Sequence, residues 1–450
     1  MRRAALFLIF ALTLTTLACN LASPQATFAP PPDPSPSGQA VPPAGTDNAT
    51  ATASSPAGAD PTPTLFGGAG QAVDLAAVPT TLPDLATWLT QARDADTPLP
   101  DVCTALLAAR WQTSGDTCQA ADLNDDQKEE WLLTIDTSQV STEPPPVNGH
   151  AGDFWLLHDA GLYQQSRAGG EPADTAPTLL ALADLTGDDR PEAITVFETC
   201  GAHTCIKTYH ILSMHRDELQ DIARSSTPAG QTDPSTLPSI SLATVENEEI
   251  RDANDDGIDD LVLRGGVIGS VGAGVQRTRR EVWAWDGFLI LLADTLYDET
   301  NYRHHRLYDA NLAFDAQQYD ASAGLYEQVV TNTNLEDVPP PTDNSYTALD
   351  SRAYTRQFAA FRLTMLPLLR GDITEATRWR NWLQDTFPQA PLAQAAAMVL
   401  AEWESNRNDL PAACAAVTNF LAAQPNPTGP LADMGYGNPA LAAADVCPLR

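Results

Sequence analysis

Three acidic stretches carry the clearest chemistry in this chain. Asp122-Leu-Asn124-Asp-Asp126-Gln-Lys128-Glu-Glu130, Asp184-Leu-Thr186-Gly-Asp188-Asp-Arg190-Pro-Glu192 and Asp252-Ala-Asn254-Asp-Asp256-Gly-Ile258-Asp-Asp260 each place oxygen-bearing side chains at loop positions 1, 3, 5 and 9. Position 7 varies freely as Lys128, Arg190 or Ile258. That freedom is informative, because a hard cation can take its ligand there from the backbone carbonyl, which every residue possesses. Each loop offers about three formal negative charges to an ion that prefers roughly six to eight oxygens at about 2.3–2.6 Å, which is the coordination of calcium. Magnesium is less suited to a cage built wholly of protein. The competing reading is three solvated acidic turns that hold nothing.

The elements around the loops discriminate further. An EF-hand needs a bidentate Glu at position 12 and a helix on either side. Position 12 here is Leu133, Thr195 or Leu263, and the loops run into segments rich in Ile, Val, Leu and Trp that read as buried strands. After each loop comes a second alternating segment: DFWLLHDAGLYQQ from Asp153, TYHILSMHRDELQDI from Thr208 and EVWAWDGFLILL from Glu281, with turn residues Asp159 to Gly161 and Asp286-Gly287 in the first and third. The loops start 62 and then 68 residues apart, room for about four strands per unit.

The pattern D-x-[DN]-x-D-G-x-x-D before an apolar strand resembles the FG-GAP and VCBS repeats of integrin-type β-propellers and many bacterial surface proteins. The Asp252 copy matches throughout, whereas Thr186 and Asp189 depart in the second and Gln127 replaces the usual Gly in the first. The resemblance implies structural calcium in a partial propeller, since three units fall short of the roughly four to eight blades that close a ring. Asp84–Ala92 and Asp101–Trp111 have helical spacing and are expected to cap one sheet edge. Gly265 to Gly274, GGVIGSVGAG, lacks the Gly-Lys-Ser/Thr ending of a phosphate loop and reads as a mobile hairpin tip.

From about Asn301 the strand signals give way to helical spacing. Gly371-Asp-Ile-Thr-Glu-Ala376, with Leu383 and Pro388, is echoed 37 residues later by Asn408-Asp-Leu-Pro-Ala-Ala413, with Phe420 and Pro425. Tyr319, Ser322, Tyr326 and Val329 stand at equivalent places 54 residues before the first of these units, with Val338-Pro-Pro-Pro341 marking an insertion. The pattern resembles the tetratricopeptide repeat (TPR), with a small residue at each helix crossing. A plain helical bundle is the alternative. The expected fold class is therefore α+β and multidomain: a partial β-propeller-like antiparallel domain at 83–298 and a TPR-like helical domain at 299–450.

The address is legible at the other end. MRRAALFLIFALTLTTLAC pairs Arg2 and Arg3 with an apolar stretch too short to span a membrane, the anatomy of an export signal at 1–18. Its end, Thr16-Leu-Ala-Cys19, resembles a bacterial lipoprotein box, which implies lipidation of Cys19 and a membrane anchor. Residues 19–82 contain no Lys or Arg before Leu82 and are dense in Pro, Ala, Ser and Thr, the composition of a disordered tether. The remaining cysteines fall into three local pairs, Cys103 with Cys118, Cys200 with Cys205, and Cys414 with Cys447, as an oxidising compartment favours. A zinc site at Cys200 and Cys205 with His203 or His210 is the alternative for the second pair.

A net charge of −33 excludes nucleic acid and anionic lipid surfaces as partners. No G-x-S-x-G, H-E-x-x-H or S-x-x-K motif is present, so no enzyme is expected. The sequence points to a lipid-anchored scaffold that contacts other envelope or extracellular proteins through helical repeats. A second reading is a calcium-dependent glycan or matrix binder in which Trp155, Trp283 and Trp285 stack on sugar.

Overall fold

A computed structural model describes residues 73–113, 115–137, 152–159, 161–165, 176–215, 218–223, 239–406 and 408–449. The stretch read as an export signal, Cys19 and the stretch read as a tether, as far as residue 72, lie outside the described residues. Residues 68–450 belong to one compact unit. Among the described residues no helix is long and apolar enough to cross a membrane.

The fold mixes antiparallel sheets and helices, with no closed barrel or propeller among the described residues. The first sheet runs β1 (Cys118–Ala121), β2 (Glu130–Asp136), β3 (Gly152–His158) and β4 (Gly161–Gln165), each strand paired to the next. The second runs β5 (Thr178–Ala183), β6 (Glu192–Cys200), β7 (Cys205–His215) and β8 (Glu218–Asp221), and β9 (Ile240–Ala243) adds to β7. The third runs β10 (Asn247–Arg251), β11 (Asp260–Gly265), β12 (Arg279–Trp285) and β13 (Ile290–Tyr297).

These sheets stack because their strands carry apolar residues on both faces, at a period of two. Trp131, Leu133 and Ile135 face α1 (Leu82–Asp94) and α2 (Leu99–Ala108), burying Leu85, Trp88, Leu89 and Leu106. Leu132, Phe154 and Leu156 face Ala193, Leu212 and Met214 of the second sheet. Ile194, Tyr209 and Ile211 in turn face Leu261, Leu263 and Trp283 of the third. The two N-terminal helices therefore cover a sheet face, not the edge expected for them, because their apolar stripe matches the odd-numbered side of β2. Within the stretch read as tether, Val73, Leu75 and Val78 pack on the same core, and Pro79 and Asp74 accept the indole N–H groups of Trp111 (2.7 Å) and Trp88 (3.4 Å).

The C-terminal half contains α3 (Arg303–Asp315), α4 (Tyr319–Thr331), α5 (Ala348–Met365), α6 (Ile373–Thr386), α7 (Pro391–Ser405) and α8 (Leu410–Ala422), followed by the short α9 (Ala443–Val446). From α3 to α8 each helix packs on the next, and α5 also touches α3 and α7. The small residues singled out by spacing, Ser322, Ala376 and Ala413, are all fully buried, as is Ala310 of α3. Each second helix is entered the same way. Gln317, Gly371 and Asn408 take left-handed φ values of 59°, 74° and 65°, and the next residues, Gln318, Asp372 and Asp409, are the N-caps of α4, α6 and α8. Arg303, Asp337 and Arg352 form a chain of ion pairs (2.9 and 2.6 Å) that ties the inserted segment between α3 and α5.

The glycine-rich stretch 265–274 is not a mobile tip. It forms a seam with the C-terminal segment: Gly272 and Ala273 carbonyls accept from the N–H groups of Tyr436 (3.2 Å) and Gly437 (3.1 Å), and Asn438 Nδ2 reaches Val275 O at 3.0 Å. A Cβ on Gly274, whose φ is +78°, would lie 2.0 Å from Met434 O, and one on Gly435 (φ +99°) would lie 2.4 Å from the Ala273 carbonyl carbon. Only glycine lets two backbones approach so closely at positive φ. All three expected disulfides are present, Cys103–Cys118, Cys200–Cys205 and Cys414–Cys447.

Candidate metal loops

Each acidic stretch is the hairpin loop between the first two strands of its sheet, in one common register. The residue before position 1 pairs with position 9: Ala121 with Glu130, Ala183 with Glu192, and Arg251 with Asp260. The backbone conformation repeats as well. Positions 4 and 6 are left-handed in every copy, at Asp125 and Gln127 (60°, 69°), Gly187 and Asp189 (74°, 64°), and Asp255 and Gly257 (62°, 91°).

These turns aim backbone N–H groups inward, and the acidic side chains receive them. Position 1 accepts from positions 5 and 6: Asp122 from Asp126 (3.2 Å) and Gln127 (2.9 Å), Asp184 from Asp188 (3.2 Å) and Asp189 (2.8 Å), Asp252 from Asp256 (3.2 Å) and Gly257 (2.9 Å). Position 5 accepts from the N–H of position 7, so Asp126, Asp188 and Asp256 close on Lys128, Arg190 and Ile258 at 2.8, 3.1 and 2.8 Å. Asn124 and Asn254 share the N–H that position 1 holds, which brings positions 1, 3 and 5 together in the first and third loops.

Position 9 stands apart on the strand side. Glu130, Glu192 and Asp260 are buried and accept from the N–H of position 2, at Leu123 (2.8 Å), Leu185 (2.8 Å) and Ala253 (2.9 Å). Burial pushes the Glu192 carboxyl up to about 7, partly offset by the Leu185 N–H and the Ser213 hydroxyl, which donates at 3.0 Å. Burial raises Glu130 and Asp260 too. Glu130 keeps one carboxylate oxygen, Oε1, buried without a hydrogen-bond partner.

The copies differ in what position 7 does. Arg190 turns its guanidinium onto Asp188 of its own loop, which holds that carboxyl below its usual range despite burial. Lys128 instead pairs with Asp159 in the β3–β4 turn, which Arg93 also holds at 2.9 Å. Ile258 lies against Gly187 of the second loop. Neighbouring loops thus touch, and Asp125 of the first adds its field to Arg190 of the second. Sequence reading missed this use of position 7 and missed Ser213, because both depend on neighbours far along the chain.

The donor set suits a hard cation in the first and third loops best. In the second, an internal guanidinium already neutralises Asp188. Three acidic side chains of one loop do not gather within 4.8 Å of one another; among the described residues, Glu198, Cys200 and Cys205 meet that measure. The two sulfurs there are spent on a disulfide, which removes the thiolates a zinc site needs. Trp155 and Trp283 are 0% and 4% exposed and lie in the core, so they are not free to stack on a sugar. Comparison with protein-family models, with curated proteins and with solved structures finds no match.

Proposed function

We propose that this chain is an exported, lipid-anchored, non-catalytic scaffold whose acidic hairpin loops hold structural calcium and whose TPR-like helices contact other envelope or extracellular proteins. The observation that carries the calcium reading is the threefold recurrence of one loop geometry, down to two left-handed positions and the same inward N–H groups. The buried, unpartnered Glu130 Oε1 supports it, since a carboxylate oxygen in that position calls for a proton or a cation. Bound calcium would supply charge compensation and cross-linking within each loop, not reaction chemistry. Asp122, Asn124, Asp126 and Glu130, with the Lys128 carbonyl, would hold one ion. Asp252, Asn254, Asp256 and Asp260, with the Ile258 carbonyl, would hold another. The second loop, with Asp184, Thr186, Asp188, the Arg190 carbonyl and Glu192, would bind more weakly because Arg190 competes for Asp188. The scaffold reading rests on the helical half, where three helix hairpins are entered through equivalent left-handed turns.

Thermal unfolding with and without chelator tests the proposal. Added calcium should raise the melting temperature, chelation should lower it, and Asp252→Ala should remove more of the calcium effect than Asp184→Ala. Melting that is indifferent to both chelator and calcium would sink the metal assignment.

A further inference from the structure

Among the described residues, one set of metal-ligating atoms is already gathered: a carboxylate oxygen of Glu198 and the sulfurs of Cys200 and Cys205 lie within 4.8 Å of one another. The strands explain the gathering. Glu198 and Cys200 stand two apart on β6 and so share a face, while the β6–β7 register sets Cys205 directly across from Cys200 and Lys207 across from Glu198. All three ligand residues are half-buried, at the end of a hairpin whose tip, Gly201 to His203, is exposed.

The three disulfides differ in what they hold. Cys414 and Cys447 are buried, and their bridge spans 33 positions, whereas Cys103–Cys118 spans 15. Cys200–Cys205 spans 5 and closes the shortest loop, so on chain-entropy grounds it contributes least to the fold. Its hairpin is held by other means. The β6–β7 register runs from Ala193–Leu212 to Cys200–Cys205, and Gly201 N donates to Thr204 O at 2.8 Å. From outside, Gly269 N donates to Thr204 Oγ1 at 2.8 Å. Opening the bridge therefore leaves the two cysteines facing each other.

Such a pair is half of a zinc site. Two cysteines with four residues between them have a zinc-ligand spacing, and tetrahedral zinc with a Zn–S distance of about 2.3 Å sets its sulfurs about 3.8 Å apart. Cross-strand Cβ atoms, about 4.5–5.5 Å apart, allow that separation without a change of register. Glu198 adds a third ligand, and two thiolates with one carboxylate favour zinc over calcium. Lys207 brings no uncompensated charge, because its ammonium donates to Glu248 at 3.1 and 3.2 Å.

We infer that Glu198, Cys200 and Cys205 form a redox-controlled zinc site, closed while the cysteines are bridged and open to zinc(II) once a dithiol has reduced them. The dithiol gives two electrons and two protons to the bridge and becomes a disulfide itself; the Cys200–Cys205 S–S bond breaks and two thiols form. Zinc then displaces both thiol protons, with the two thiolates and the Glu198 carboxylate as ligands and water in the fourth place. The inference stands independently of calcium in the acidic loops, which offer no sulfur.

Cobalt(II) and zinc(II) serve as probes on the full chain, since only thiolate ligands give cobalt an intense near-ultraviolet charge-transfer band. The chain is treated with dithiothreitol, the reductant is removed without air, and alkylation with mass mapping identifies the freed cysteines. Cys200 and Cys205 should be the first pair freed. Cobalt should then give the thiolate band at one equivalent, and zinc should displace it. The oxidised chain should give no band, nor should the double variant Cys200→Ser, Cys205→Ser treated in the same way. Glu198→Ala, which keeps both cysteines, should weaken zinc by at least the roughly 10–100-fold that losing an outer-shell partner costs. The inference is overturned if the bridge resists the dithiol in the folded chain, if the reduced chain gives no thiolate band, or if the double serine variant gives the same band. It is also overturned if Glu198→Ala binds zinc as tightly as the wild type.

Discussion

Gln127 is the most strained of the loop residues, a side chain with no β-polar group held at a φ of 69° where the sibling loops have Asp189 and Gly257. Glycine pays nothing there, and Asp tolerates the conformation better than Gln does. Gln127→Gly is therefore expected to stabilise the fold by up to about 1 kcal/mol in denaturant titration, and Asp189→Gly by less. His304 makes a second prediction at this scale. Burial, reinforced by the neighbouring His305, lowers its pKa to about 3, so the folded chain keeps it neutral while the unfolded chain takes up a proton near pH 6.5. The sign follows from proton counting: between those values the unfolded state holds more protons, so stability falls as pH falls. Acidification from pH 7 to 5 should cost the wild type about 2 kcal/mol more than His304→Leu, measured by urea unfolding at both pH values. Equal slopes for the two proteins would refute the assignment.

At the level of elements, the loop hairpins and the helix hairpins use the same device, a left-handed residue at a defined offset from the next element. Ala376 and Ala413 sit fully buried in α6 and α8, where a larger side chain has no room. Ala376→Leu or Ala413→Leu should lose about 1–3 kcal/mol through overpacking, visible as a lowered melting temperature. These elements were legible because their signals are local. Alternation at a period of two, a turn pair such as Asp286-Gly287 and an Ala repeated once after 37 residues need no knowledge of distant partners. The stretch GGVIGSVGAG shows the limit. Its glycines suggested freedom, but they answer a backbone contact with residues 434–438, and nothing within the stretch itself names that partner. His304 and His305 are both buried, and His305 Nε2 meets Val275 O at 2.9 Å, a contact with the seam that adjacent histidines in sequence do not announce.

For the whole molecule, the docking of the C-terminal tail was invisible in the sequence because it joins residues 434–438 to the β11–β12 loop and the Asp445 carbonyl to Arg362 of α5, partners far apart along the chain. The Cys414–Cys447 bridge holds this tail, with both sulfurs packed near Met365 Sδ at 3.9 and 3.6 Å. Replacing both cysteines by Ala should cost about 3–4 kcal/mol, measured by chemical denaturation. The seam between residues 272–275 and 434–438 has one more consequence, which concerns time. Asn438 reaches Ala273 across 165 positions, so this contact must wait until nearly the whole chain has been made. Until then the glycine-rich connection between β11 and β12 has no cover from residues 434–438, and a chain cut short by its last few turns would keep that connection open as a handle for quality-control proteases.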